Sequence, residues 1–151
     1  MPIVNLEDLP RQGVLIGVDP GAKTIGLAAS DATRLIATPA KTIKRTRLAA
    51  DLDAFFAVYD DRAAVGLVVG LPLNMDGSEG PRAQSARAFA RNLLRRRDAP
   101  LAFQDERLST VEAERAMIDA DLSRARRAEL IDKSAAAVIL RAALDRLANL
   151  P

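Results

Sequence analysis

The 151-residue chain contains no histidine, no cysteine and no tryptophan. Without cysteine there is no disulfide, no thiolate metal site and no thiol nucleophile. Without histidine there is no imidazole base, which excludes Ser-His and Cys-His mechanisms and every histidine metal ligand. Any hydrolysis by this chain falls to carboxylates, lysine, hydroxyl groups or a bound metal. Aromatic residues are also scarce: four Phe and one Tyr. That is too few to stud a basic surface with rings on which single-stranded bases could stack. No apolar run approaches the roughly 20 residues of a membrane span. The first twelve residues hold Glu7 and Asp8 and no long apolar stretch, unlike a signal peptide. A soluble, cytoplasmic protein with no membrane partner is expected.

What is present fits one ordinary domain. Hydrophobic residues make up 49% and charged residues 28%, a balance that excludes general disorder. A chain this long buries roughly two-thirds of its unfolded surface. The formal net charge is only +2, but the charge is unevenly spread. Six arginines and no acid lie between Arg82 and Arg97, and four basic residues and no acid between Lys41 and Arg47. Such clustering can present a phosphate-binding face on a nearly neutral protein.

Met1 to Gln12 reads as a loose lead-in, followed by a single domain over 13–151. Val14 to Asp19 is a mostly apolar strand closed by Pro20-Gly21. Ile25 to Ser30 follows closely enough for an antiparallel hairpin. A third strand near Ala37 to Ile43 contains Pro39, which argues for a sheet edge. Leu48, Leu52, Phe55, Phe56 and Tyr59 then form one apolar helical stripe. Val65 to Val69 is nearly continuous in apolar residues, as buried parallel strands are. A polar loop from Leu71 to Gly80 precedes Pro81, which suits a first helical turn. That helix carries Ala86, Phe89, Ala90 and Leu93 on one face and Arg87, Arg91 and Arg95 on another. Leu101 to Glu106 is a last strand, Ser109 with Glu112 a capping box, and Ala135 to Ala143 the inward face of a final helix. Three hairpin-connected strands followed by strands alternating with helices predict an α/β fold. Its mixed five-stranded sheet has three antiparallel strands, then parallel ones, with helices on both faces.

Three acids stand out. Asp19 ends the first strand, Glu106 ends the last, and Asp132 sits on the apolar face of the final helix. Each has a plain structural use: an acid before Pro-Gly serves a turn, a strand end carries acids freely, and an acid in a first helical turn complements the helix dipole. Together they point to the carboxyl ends of central strands, where α/β proteins place their sites. Carboxylates meeting there would repel by about 4 kcal/mol per pair at 4 Å and an effective dielectric near 20. Such a cluster calls for a cation, and all-oxygen ligands suit Mg²⁺ or Mn²⁺.

Residues 17–31 (GVDPGAKTIGLAASD), 69–81 (VGLPLNMDGSEGP), 105–110 (DERLST) and 131–140 (IDKSAAAVIL) together resemble the four signature blocks of the YqgF family. Its members are known as pre-16S rRNA nucleases and as Holliday junction resolvase-like proteins. The resemblance covers about residues 13–148. It implies a ribonuclease H-like fold and phosphodiester hydrolysis with Mg²⁺ or Mn²⁺. It also implies that Asp19, Glu106 and Asp132 are the metal-binding catalytic acids. In that frame Lys23, Asn74, Arg107 and Thr110 are candidate substrate contacts, and Arg87, Arg91 and Arg95 a candidate track for the nucleic-acid backbone. Lys23 and Arg107 serve equally as a solvated hairpin lysine and an ion-pair partner. The implied partner is nucleic acid, an RNA precursor ahead of a DNA junction, in the setting of a pre-ribosomal particle. The chain departs from the family pattern at Pro20 and at Thr24, and Ala135 stands where RuvC-type resolvases carry a second acid. Alternatives are a junction-cleaving DNA endonuclease and a non-catalytic RNA-binding ribosome-assembly factor. A third is one half of an actin-type nucleotide-binding fold, suggested by Asp19, Gly21 and Gly26.

Overall fold

The computed structural model describes residues 3–106 and 135–150. Five strands form one sheet: β1 (Val14–Pro20), β2 (Thr24–Ser30), β3 (Ala37–Lys44), β4 (Ala64–Leu71) and β5 (Leu101–Asp105). Among the described residues three α-helices accompany them, α1 (Leu48–Asp61) after β3, α2 (Pro81–Arg96) after β4 and α3 (Ala135–Ala148), with a single 3-10 turn at Leu6–Asp8 before β1. The strand order is β3-β2-β1-β4-β5. The first three strands pair antiparallel, and β4 and β5 join β1 in parallel. The mixed sheet expected from the sequence is therefore present.

The edge position of β3 follows from Pro39. That residue faces Ala28 at a register irregularity of the β2–β3 ladder, where its missing N–H costs little. At the centre, β1 and β4 are apolar on both faces. Ile16 and Val18 of β1, with Leu67 and Val69 of β4, pack under α1 and α2. Leu15 and Val68 pack under α3 on the other side. All five aromatic rings lie on the α1/α2 side. Phe55 meets Phe56 and Phe89 edge-on, with ring centroids 5.1 and 6.4 Å apart.

Two sequence expectations are corrected. The apolar stripe of α1 was expected to begin at Leu48, but Leu48 is 44% exposed and the buried face begins at Asp51 and Leu52. Asp51 is buried because its Oδ1 accepts hydrogen bonds from the backbone N–H and hydroxyl of Thr46, at 3.1 and 3.3 Å. Those bonds close the turn entering the helix, which leaves Leu48 outside. The lead-in, in turn, is packed: Leu6 and Leu9 are buried against the α3 side of the sheet, and the Val4 N–H bonds the Leu101 carbonyl at 2.8 Å.

The feature that matters most for the site is how closely α3 lies on β1. A Cβ placed on Gly17 would come within 2.6 Å of Leu140 Cβ and 2.8 Å of the Ala136 carbonyl oxygen. Only glycine admits the helix at this distance, and the helix then crosses the sheet just below Asp19.

Candidate active site

Because β1, β4 and β5 run parallel, their carboxyl ends share one edge of the sheet. Asp19 lies near the end of β1, opposite Gly26 of β2. Glu106 directly follows β5. One strand, β4, stands between them. Gly70 of β4 leaves the space that would otherwise separate the two acids: a Cβ there would lie 3.0 Å from Glu106 Oε1 and 2.5 Å from Ile139 Cδ1. The Glu106 side chain thus lies over Gly70, toward β1. Asp19 and Glu106 line the same small cleft of about 80 Å³, with Pro20, Gly21, Pro72, Arg82 and Ser85. A larger open hollow of about 270 Å³ adjoins it at Asp19 and continues past Thr24 and Thr42 to Lys41 on the β3 edge.

Both acids resist ionisation. Burial pushes Asp19 above its ordinary value, against the opposing charge of Arg82. Burial likewise pushes Glu106 up to about 7, with the charges of Asp19 and Asp105 adding to the shift and Arg82 again opposing it. Both carboxyls are half-buried, line one cleft and share a raised proton affinity.

The raised values set a pH dependence for the metal-free protein. Glu106 titrates near 4.5 in the unfolded chain and near 7 in the folded one. The stability tied to its protonated form is therefore whole below about pH 4.5, declines as pH rises, and is gone above about 7; Asp19 acts in the same direction. The exposed acids Asp31, Asp60 and Glu79 are shifted downward, and their effects fall below this window. The melting temperature in chelator is expected to fall between pH 5 and pH 8, and to fall less for Glu106→Gln. A melting temperature that rises over that interval would contradict the buried-acid site.

The other expected site residues are distributed unevenly. Lys23 is exposed on the β1–β2 hairpin, at the rim; its carbonyl accepts the Arg45 N–H at 2.9 Å. Asn74 does not line the cleft. Its side-chain amide donates to Ser78 Oγ at 3.0 Å and its backbone bonds Ser78 and Gly77, so it shapes the loop after β4. Arg107, Thr110 and Asp132, and the capping box of Ser109 and Glu112, lie outside the described residues.

The arginine track is reduced. Arg87 makes a two-point ion pair with Glu79, at 2.6 and 2.9 Å, and lies over the Phe103 ring at 4.8 Å. Arg96 pairs with Asp53, and Arg97 with Asp60 while covering Phe56 and Tyr59. Arg91 and Arg95 have no ion pair among the described residues. Arg96 and Arg97 thus tie α2 to α1, while Arg87 ties it to the loop after β4 and to β5.

Sequence reasoning missed Arg82 and Ser85, which form the α2 wall of the cleft. A signal was available. Side chains of a helix lean toward its N-terminus, and positions three apart share a face. A helix opened by Pro81 right after the β4 loop therefore aims positions 82 and 85 at the carboxyl edge of the sheet.

A profile of the RuvX family, described as Holliday junction resolvase, matches residues 13–146. The chain belongs to the RuvX family. Curated relatives carry the name "Putative pre-16S rRNA nuclease". The one from Paracoccus denitrificans is 60% identical over 141 residues, 93% of this chain and 89% of its own length. That from Rhodobacter capsulatus is 61% identical over 142 residues, 94% and 89% of the two lengths. That from Phenylobacterium zucineum is 54% identical, over 99% of this chain and all of its own. Among solved structures, T. thermophilus RuvC in complex with Holliday junction substrate matches with a TM-score of 0.56. That match is 13% identical and covers 90% of this chain and 96% of the other. The likeness concerns the fold, and the RuvX chain has the ribonuclease H-like architecture expected from its sequence. RuvX is a nuclease family, so the chain is classed among the hydrolases of phosphodiester bonds. No helix among its described residues is long and apolar enough to cross a membrane.

Proposed function

We propose that this RuvX protein is a divalent-metal-dependent nuclease that processes the 5′ end of pre-16S rRNA, in the cytoplasm and on or near the pre-ribosomal particle. The observation that carries the reading is the shared cleft of Asp19 and Glu106, two carboxyls held at raised proton affinity by burial. The RNA substrate is taken from the name its relatives bear.

The residues present fit Mg²⁺ or Mn²⁺. The donors are carboxylate oxygens from two strand ends, and a cation between them would offset both their burial and their mutual repulsion. Asp19 and Glu106 would hold it, joined by Asp132, which lies outside the described residues. No group of three metal-ligating side chains is found among the described residues. When bound, the cation would lower the pKa of the attacking water and neutralise charge on the reacting phosphate. The protein's own part is positional. Asp19 is fixed by the β1–β2 ladder, and Glu106 is fixed over Gly70 between β5 and α3. The absence of histidine from the whole chain accords with a reaction whose water is not activated by an imidazole.

The test is cleavage of a 5′-extended 16S precursor RNA with Mg²⁺ or Mn²⁺ against the same reaction in EDTA. Cutting that needs the cation is expected; undiminished cutting in chelator by clean protein would overturn the metal role. A four-way DNA junction belongs in the same experiment, because the family description names junction resolution. Cleavage of the junction with the RNA left intact would replace the RNA reading.

A further inference from the structure

The cleft that gathers two carboxylates must also admit a phosphodiester, which brings a negative charge of its own. Among the described residues lining it, Arg82 is the one cation. Its situation differs from that of Arg87, Arg96 and Arg97 along the same helix, each of which has a carboxylate partner. Arg82 makes no ion pair among the described residues, although its charge reaches both Asp19 and Glu106. It is exposed on the first turn of α2. Ser85, one turn further along, adds a hydroxyl to the same wall. A guanidinium presents parallel N–H donors that match two non-bridging phosphate oxygens, which a lysine ammonium does not.

We infer that Arg82 is a catalytic residue that grips the non-bridging oxygens of the substrate phosphate in the acid cleft, with the Ser85 hydroxyl as an accessory donor. The inference rests on the nuclease reading for its substrate. Its physical content is that the cleft has two walls of opposite duty. The sheet edge supplies anions for the metal, and α2 supplies the cation for the phosphate. With a divalent ion held by Asp19 and Glu106, their pull on the Arg82 charge would be offset, leaving Arg82 available to the incoming anion. Placed beside the reacting group, the same charge stabilises what develops during in-line displacement.

The experiment compares wild-type protein with Arg82→Gln, Arg82→Lys, Ser85→Ala and, as a helix-surface control, Arg96→Gln. Each is measured for binding and cleavage of the precursor RNA and for the melting-temperature shift caused by Mg²⁺. Arg82→Gln is expected to lower kcat by about 10²–10³-fold and to reduce the salt slope of RNA binding by about one. The Mg²⁺ shift should be retained or enlarged, because a repelling cation has been removed. Arg82→Lys should restore the salt slope but only part of kcat, and Arg96→Gln should match wild type. If Arg82 merely neutralises the acids, Arg82→Gln would lower the metal-free melting temperature, Mg²⁺ would cancel that loss, and RNA binding and kcat would stay at wild-type values. That result would overturn the inference. Wild-type protein that cuts neither RNA nor junction would instead remove the nuclease reading. The binding arm would still decide whether Arg82 holds a phosphate, since an unchanged salt slope in Arg82→Gln rejects it.

Discussion

Asp19→Asn is expected to abolish divalent-dependent cleavage while leaving a folded protein that melts no lower than wild type in chelator. Replacing residues that only orient a metal ligand typically costs 10–100-fold, so loss of a direct ligand is expected to exceed about 100-fold. The substitution keeps the side-chain shape. It also removes a half-buried charge that burial already disfavours, together with its repulsion of Glu106. The metal-free protein is therefore expected to be as stable as wild type, or more stable by about 0.5–2 kcal/mol. Magnesium should raise the wild-type melting temperature by mass action and do so much less for the variant. A turn-forming role for Asp19 predicts a different outcome, because asparagine serves turns equally well. Activity and metal response would then both survive. Melting curves with EDTA and with Mg²⁺, read beside one cleavage assay, separate the two.

The second large effect is expected at Gly70. The Cβ of Gly70→Ala would meet Ile139 Cδ1 at 2.5 Å and Glu106 Oε1 at 3.0 Å, so both must move. Overpacking of this kind typically costs about 1–3 kcal/mol. Displacing Glu106 should in addition weaken the magnesium response and the cleavage. Gly17→Ala provides the contrast. Its Cβ would press on Leu140 and the Ala136 carbonyl but on neither acid, so it should lose stability with a smaller loss of metal response. At Gly26 a Cβ would meet only ordinary contacts, 3.6 Å from Asp19 Cβ and 3.7 Å from Ala136 Cβ. Gly26→Ala should leave the melting temperature near that of wild type. If Gly70→Ala keeps the full magnesium shift, the placement of Glu106 over that glycine is wrong.

The sequence alone was enough for the order and type of the five strands and the described α-helices. Period-2 and continuous apolar runs marked the strands, a 3.6-residue stripe marked α1, and Pro81 marked the start of α2. Pro39 even marked the edge strand, because its missing N–H is a local property that any fold must accommodate. The position of Asp19 and Glu106 at the sheet edge was also legible, since a strand followed by a turn leaves its last side chain there. Side-chain pairing was not legible. Arg87, Arg91 and Arg95 share a face by spacing, but spacing does not show that Arg87 meets Glu79 and Phe103, or that the neighbouring Arg96 and Arg97 meet Asp53 and Asp60. Those partners come from three other segments. Nor does a loop sequence reveal that the Asn74 amide bonds Ser78.

The residue types and their local spacing determined three things: which segments become strands and helices, that no imidazole or thiol could act, and that acids would stand at strand ends. These follow from periodicity, composition and backbone chemistry, which act over a few residues. Only the tertiary structure decided that Glu106 reaches over Gly70 toward Asp19. It likewise decided that Arg82 and Ser85 face the pair, and that Arg87 and Arg97 cover Phe103, Phe56 and Tyr59. The reason is physical. Strand order puts β4 between the two acids, so the room left by one absent Cβ sets their approach. Burial, which raises their proton affinity, is a property of everything packed around them.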